Sequence, residues 1–194
     1  MESDIFRTVL ITGPPGVGKT TLVRRICSKL SEKNHLLKGF YTEEVREDSQ
    51  GQRIGFDVVT LTGKRGVLAR ITNPEETDKR HPKVGKYSVF VQEFENLALP
   101  QLDIRDDGAK PGLLVIDEVG KMEMFSKRFE STIDDLIQKK QIPLVITIPE
   151  NSSLKLVERL RKSPRSMLFQ VNKSNRDSLA EKIPDLITKS MLVT

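Results

Sequence analysis

Residues 13–20, Gly13-Pro14-Pro15-Gly16-Val17-Gly18-Lys19-Thr20, decide how the rest of the chain is read. They fit the pattern G-x-x-x-x-G-K-[ST]. Glycines in this pattern allow a tight concave turn whose backbone N–H groups converge on phosphate oxygens. Lys19 is long enough to reach β- and γ-phosphates, and the Thr20 hydroxyl is placed to sit on Mg²⁺. A bland reading exists, a Gly/Pro-rich surface turn, and the flanking sequence decides against it. Before the loop, Thr8-Val9-Leu10-Ile11-Thr12 is a short β-branched apolar run, the pattern of a buried parallel strand. After it, Leu22, Val23, Ile26, Cys27 and Leu30 mark one apolar stripe of a helix. Strand, loop and helix come in the order that phosphate binding needs, with the positive end of the helix dipole aimed at the anion.

The whole chain sets bounds on the rest. Its 194 residues are read as one domain, 1–194, with a hydrophobic content of 37% and a charged content of 30% typical of a globular protein. No apolar run approaches the length needed to cross a bilayer, so no membrane partner is expected. Met1-Glu2-Ser3-Asp4 is acidic and leads straight into the first strand, unlike a secretory signal; the expected compartment is cytoplasmic. Cys27 is the only cysteine, so no intrachain disulfide forms, and its place on the apolar stripe reads as packing. His35 and His81 have no cysteine partners at zinc-ligand spacing. Net charge is +5, but Lys64-Arg65 and Arg159-Leu160-Arg161-Lys162 are short runs without interleaved aromatics, and aromatic residues make up only 5%. Solvated faces and one anion site account for the charge, so nucleic acid is not an expected partner and a monomer is.

Along the chain, Gly39–Val45 and Arg53–Leu61 read as strands joined by the polar link Glu47–Gln52, and Val67–Ile71 as a third. Together they predict an antiparallel β-insertion over about 39–71. Residues 72–86, with Pro74 and Pro82, read as an exposed loop; Tyr87–Val91 as a strand; Gln92–Leu99 as a helix stopped by Pro100. The polar stretch 103–108 is a loop. Strands follow at Leu113–Ile116, Leu144–Ile148 and Met167–Val171, alternating with helices marked by Phe129, Ile133, Leu136 and Ile137 and by Leu156, Val157 and Leu160. Ser174-Asn175-Arg176-Asp177 resembles a capping box opening a last helix that buries Leu179, Ile183, Leu186 and Ile187. The alternation predicts an α/β fold with a mostly parallel central sheet and helices on both faces.

Leu113-Leu114-Val115-Ile116 followed by Asp117-Glu118 is the second chemical motif. An acid ending a buried parallel strand is placed to hold Mg²⁺ through water, which assigns Asp117 to the metal beside Thr20. The next acid, Glu118, can orient and deprotonate a water attacking the γ-phosphate. That favours hydrolysis, with Mg²⁺, Lys19 and the loop amides neutralising the transferring group. Thr147, ending a neighbouring strand, is a candidate to sense the γ-phosphate or the water; a hydroxyl bonded to its own chain is the alternative. Lys121 and Arg176 are candidate extra cations, though each is also readable as a surface charge, and Glu123 is readable as a partner for Lys121. A kinase with an arginine lid from Arg65, Arg70 and Arg80, and a non-enzymatic nucleotide switch or nucleic-acid module, are the competing readings.

Five collinear pieces carry a resemblance: GPPGVGKTT (Gly13–Thr21), GFYTEEVR (Gly39–Arg46), RIGFDVVTL (Arg53–Leu61), VIDEVGKME (Val115–Glu123) and Val171–Arg176. Together they resemble the cancer-related nucleoside-triphosphatase family. The resemblance implies a P-loop, RecA-like three-layer fold and Mg²⁺-dependent hydrolysis of ATP, GTP and other nucleoside triphosphates to diphosphates. It implies a nucleotide site from Gly13–Thr21 and from Leu113, Leu114, Val115, Ile116, Asp117, Glu118, Val119 and Gly120. Residues 72–112 match it least.

Overall fold

The computed structural model describes residues 7–47, 51–72, 81–104, 112–139 and 142–192. Strand β1, Thr8–Thr12, is buried at all five positions. Helix α1, Lys19–Glu32, follows the glycine loop and buries Leu22, Val23, Ile26 and Leu30. The remaining strands are β2 (Leu37–Arg46), β3 (Arg53–Thr60), β4 (Arg65–Ile71), β5 (Lys83–Val84), β6 (Tyr87–Val89), β7 (Leu113–Asp117), β8 (Leu144–Thr147) and β9 (Ser166–Gln170). The remaining helices are α2 (Val91–Leu102), α3 (Lys127–Lys139), α4 (Lys155–Lys162) and α5 (Arg176–Leu192).

All nine strands join one sheet in the order β5-β6-β4-β3-β2-β7-β8-β1-β9. The run from β2 through β7, β8 and β1 to β9 is parallel, and β3, β4, β6 and β5 extend it antiparallel beyond β2. Strand alternation sorts the core onto two faces. Val9, Ile11, Leu113 and Val115 pack with α1 and α5, while Leu10, Leu114 and Ile116 pack with α2, α3 and α4. This is the expected three-layer α/β architecture. Phe40, Phe94 and Phe129 meet on the second face with ring centroids 5.2–6.0 Å apart, tying β2 to α2 and α3. On the first face, α1 and α5 run side by side in the same direction. Arg25–Asp177, Lys29–Glu181 and Lys33–Asp185 pair across them as a ladder with one rung per turn. These pairs are exposed and orient the helices more than they stabilise them.

Several details correct the sequence reading. The antiparallel segment is a continuation of the main sheet: β2 itself is a parallel strand against β7, and the antiparallel part runs on to Val89. Of the stretch read as a loop over 72–86, residues 73–80 lie outside the described residues, as do 105–111, and Lys83–Val84 forms a short strand. Strand β6 stops at Val89, and α2 begins at Val91. Pro100 does not stop α2, which continues to Leu102. A proline removes one N–H bond, and here it does so in the final turn, where buried Ala98 and Leu102 hold the helix against the core. The cap before α5 is centred on Asn172. Its Oδ1 accepts the N–H groups of Ser174 and Asn175 (2.9 Å each), and Asn175 Oδ1 accepts the Asn172 N–H. Asp177, expected to close the box, pairs with Arg25 instead.

Gly39 shows why GFYTEEVR begins with glycine. Its φ is 135°, and a Cβ there would lie 1.9 Å from the Val115 carbonyl oxygen of the adjoining strand. Gly39→Ala should lower the unfolding free energy by about 2–4 kcal/mol, read by urea denaturation, through backbone strain and overpacking. A change below about 1 kcal/mol would show that β2 and β7 can separate without cost.

Candidate functional site

Three parallel strands converge on the site. In register, Ile11 of β1 faces Thr147 of β8, and Tyr41 of β2 faces Asp117 of β7. For β1, β7 and β8 these are the carboxyl ends, where ligands bind in open parallel sheets, while β2 runs on past Tyr41 to Arg46. Between β1 and α1, Gly18 adopts a left-handed φ of 98°, the turn that brings the loop to the helix N-terminus. Helix α1 has no side-chain cap and no acid in its first turn. Its first N–H groups and its positive dipole end are therefore left to an anion. Lys19 folds onto the loop, Nζ donating to Gly13 O (3.0 Å) and Pro14 O (3.5 Å).

A cleft of about 940 Å³ opens over this loop. Pro15, Gly16, Gly18, Lys19, Thr20 and Thr21 line it, with Glu118 and Lys121 from beyond β7. Val17 turns into the core against α1 and α5, so its part in the motif is packing. Leu113, Leu114, Val115 and Ile116 are likewise wholly buried, as is Val119, and they act as the scaffold that carries the acids.

Asp117 is 1% exposed. The Thr147 hydroxyl donates to its Oδ1, while Oδ2 has no hydrogen-bond partner among the described residues. Burial pushes its carboxyl above the ordinary range, opposed by the hydroxyls of Thr147 and Thr20 and by the charges of Lys19 and Arg24. Thr147 is itself fully buried, with its hydroxyl committed to Asp117. Burial also raises Glu118, with the Asp117 charge adding to the effect and Lys19 opposing it. Arg176 lies behind the loop: Nη1 donates to Val17 O (3.3 Å), and a Cβ on Gly18 would meet that same nitrogen at 2.6 Å. It braces the loop and is not among the residues that line the cleft. Lys121 is exposed on the cleft wall.

Two features escaped the sequence reading. The first is Glu123, which is 3% exposed and lines the same cleft. It does not turn to Lys121. Its Oε2 accepts the Gly120 N–H at 3.2 Å. Gly120 leaves room for two acids, since a Cβ there would meet Glu118 Oε1 at 2.7 Å and Glu123 Oε2 at 2.9 Å. Nothing in the local sequence Lys121-Met122-Glu123-Met124 distinguishes a buried acid from a solvated one. The second is the far wall of the cleft, formed by Thr42, Glu43, Glu44, Arg46, Arg53 and Phe56 from β2 and β3. Arg24 of α1 joins it, ion-paired with Glu43 and stacked 4.2 Å from the Tyr41 ring centroid. Glu43 also pairs with Arg65, and buried Asp57 holds Arg65 (2.9 Å) and Arg70. The arginines considered for a kinase lid are thus engaged inside the sheet, apart from Arg80, which lies outside the described residues.

A phosphate loop facing a buried aspartate at the end of a parallel strand defines a P-loop nucleotide-binding protein. The chain belongs to the family whose model is described as NTPase, which matches residues 8–184. It is 43% identical over 186 residues to the Homo sapiens protein named cancer-related nucleoside-triphosphatase, covering 94% of this chain and 95% of that one. To the Aquifex aeolicus nucleoside-triphosphatase THEP1 it is 38% identical over 184 residues, covering 93% and 99%. The solution structure of a human cancer-related nucleoside triphosphatase superposes with a TM-score of 0.80 at 42% identity, over 95% of this chain and 98% of that one. The crystal structure of THEP1 from Aquifex aeolicus gives 0.77 at 36% identity, over 93% and 98%.

The Glu123 carboxyl is pushed up from its ordinary 4.5 to about 8, by burial first and by the Glu118 charge second, against the backbone N–H groups of Glu123 and Gly120. A raised folded value means that the neutral acid is the form the fold favours. Its contribution to stability is complete below pH 4.5 and fades as pH rises through about 8. Glu123→Gln, which cannot ionise, should therefore lose less thermal stability than the parent between pH 5 and pH 9, read as the melting temperature at each pH. Parallel melting curves would show that Glu123 is not buried as a neutral acid.

Proposed function

We propose that this protein hydrolyses nucleoside triphosphates to diphosphates and phosphate in the cleft above Gly13–Thr21. The observation that carries this reading is Glu118 lining the same cleft as Lys19 and Thr20, one residue beyond the buried Asp117. The names of the relatives, nucleoside-triphosphatases from Homo sapiens and Aquifex aeolicus, support it.

The loop N–H groups and the N-terminus of α1 hold the phosphate tail. Lys19 exchanges its two loop carbonyls for phosphate oxygens, so its ammonium is pre-positioned. Glu118 orients a water and takes its proton as the water oxygen bonds to the γ-phosphorus; the bond from that phosphorus to the bridging oxygen breaks, and the diphosphate departs with both electrons. NTPases use a divalent metal, and the residues here suit Mg²⁺. Asp117 Oδ2 has no hydrogen-bond partner among the described residues, and Thr20 supplies a second hard oxygen. Among the described residues no group of three or more His, Cys, Asp or Glu side chains could hold a metal. That fits an ion held largely by water and phosphate oxygens. Bound there, Mg²⁺ would neutralise charge on the β- and γ-phosphates.

Thr147 orients Asp117, and Lys121 stands on the cleft wall as a cation for the γ-phosphate side. Arg176 acts through the loop it braces. We read the cleft as accepting ATP, GTP and other triphosphates. We read residues 1–194 as one domain acting as a monomer. No helix among the described residues is long and apolar enough to cross a membrane; separately, we read the site of action as cytoplasmic.

Lys19→Ala should weaken triphosphate binding by about 100-fold in calorimetry, the loss of one charge-assisted contact in a desolvated site. Glu118→Gln should bind as the parent does and lose about 100-fold or more in phosphate release. Normal turnover by Glu118→Gln would remove Glu118 as the base. In a phosphate-release assay across ATP, GTP, CTP and UTP, with and without Mg²⁺, we expect activity on all four without an added acceptor, and none in chelator. Release only in the presence of an acceptor would sink the hydrolase reading.

A further inference from the structure

Glu123 is an unusual group to find in this place. Buried acids are normally paired, because desolvating a carboxylate without a cation is costly. Glu95, equally hidden, obeys that rule: Arg128 pairs with Oε2 at 3.0 Å and the Ser126 hydroxyl donates to Oε1 at 2.6 Å. Glu123 has no ion pair among the described residues and feels the charges of two other acids, Glu118, which lines the same cleft, and Asp117. What this turn asks of position 123 is reach and an acceptor oxygen, which the buried side chain gives to the Gly120 N–H. The location must therefore matter.

We propose that Glu123 is a positioning residue for Glu118, bracing the Glu118–Gly120 turn through the Gly120 N–H so that Glu118 is held toward the γ-phosphate side of the cleft. The inference rests on the reading of Glu118 as the base. Three contacts carry it. The bond from Gly120 N–H to Glu123 Oε2 spans the turn that leaves β7. Glu118 Oε1 and Glu123 Oε2 both crowd the side of Gly120 where a Cβ would stand, 2.7 and 2.9 Å from that point. Glu118 therefore cannot swing over Gly120 without meeting Glu123. Finally, Glu123 is itself rigidly backed. It opens the short 3-10 turn Glu123–Phe125, and its carbonyl accepts the Ser126 N–H (3.0 Å). The Ser126 hydroxyl accepts the Phe129 N–H at the start of α3 (2.9 Å) and donates to Glu95 on α2. The brace thus runs from α2 and α3 through Ser126 and Glu123 to Gly120, and ends on the base. A displacement of the base by about 1 Å is enough to cost on the order of 100-fold in rate.

The test is steady-state phosphate release by three variants of the full chain with ATP and Mg²⁺. Glu123→Gln keeps the length, the acceptor oxygen and the neutral form, and should stay within about threefold of the parent kcat. Glu123→Ala and Glu123→Asp lose the reach to Gly120 and should fall at least about tenfold in kcat, with KM changed by less than about threefold. Far-UV circular dichroism and ADP binding by calorimetry report the fold of each; if Glu123→Ala fails to fold, Glu123→Asp against Glu123→Gln still decides. Parent-like kcat in Glu123→Asp, or a Glu123→Gln as inactive as Glu123→Asp while folded, overturns the proposal. So does a loss confined to KM. Glu118→Gln assayed beside them separates the two readings. Normal turnover there overturns the base and this proposal together. An inactive Glu118→Gln with a fully active Glu123→Asp overturns this proposal alone.

Discussion

The site depends on placing the Asp117 carboxylate inside a sheet that is otherwise apolar. Four buried aliphatic residues precede it, and burial alone drives its pKa upward. An acid in that position stays useful only if neighbouring strands deliver polar partners at the same depth. Thr147 does so from β8, and Lys19 and Thr20 do so from the first turn of α1. The strand order β7-β8-β1 is therefore a chemical requirement as well as a topological one. Any register slip between β7 and β8 would move Thr147 off Asp117 and leave a buried acid without its donor.

The same logic extends to the far side of the sheet. Strand β2 lies against β7 so closely that only glycine fits at position 39, and this contact carries Thr42, Glu43 and Glu44 onto the cleft wall. The chain of ion pairs from Arg24 through Glu43 and Arg65 to Asp57 and Arg70 then fastens the antiparallel strands to α1. With Asp57 buried and shared by two arginines, this is a network, where geometry is over-determined, more than a set of isolated surface pairs. The cleft consequently has a rigid second wall, built from strands that the loop motif alone does not suggest.

Much of this was legible in the chain. The loop and the acid-ended strand have short-range signatures, because phosphate binding and metal binding need particular residues at fixed spacing. The core strands and amphipathic helices announced themselves by periodicity, and the five α-helices of the described residues stand near their expected places. What periodicity misjudged were ends and small elements. Pro100 was read by its local cost, whereas packing of Ala98 and Leu102 carried α2 past it. Lys83–Val84 is too short to have a pattern. The cap of α5 moved to Asn172 because Asp177 was taken by Arg25, a residue 152 positions away.

By itself, the sequence pointed to the class of chemistry, with Gly13–Thr20 expected to take phosphate and Asp117 and Glu118 expected to serve metal and water, each motif complete within a few residues. Only the tertiary structure decided the roles of the others. Thr147 became the partner of Asp117, Arg176 a brace behind the loop, and Glu123 a buried acid against Gly120, because each role is set by contacts between strands and turns distant in the chain. A spacing rule can specify the groups that touch a ligand. The groups that hold those in place are chosen by packing, which no single stretch of residues contains.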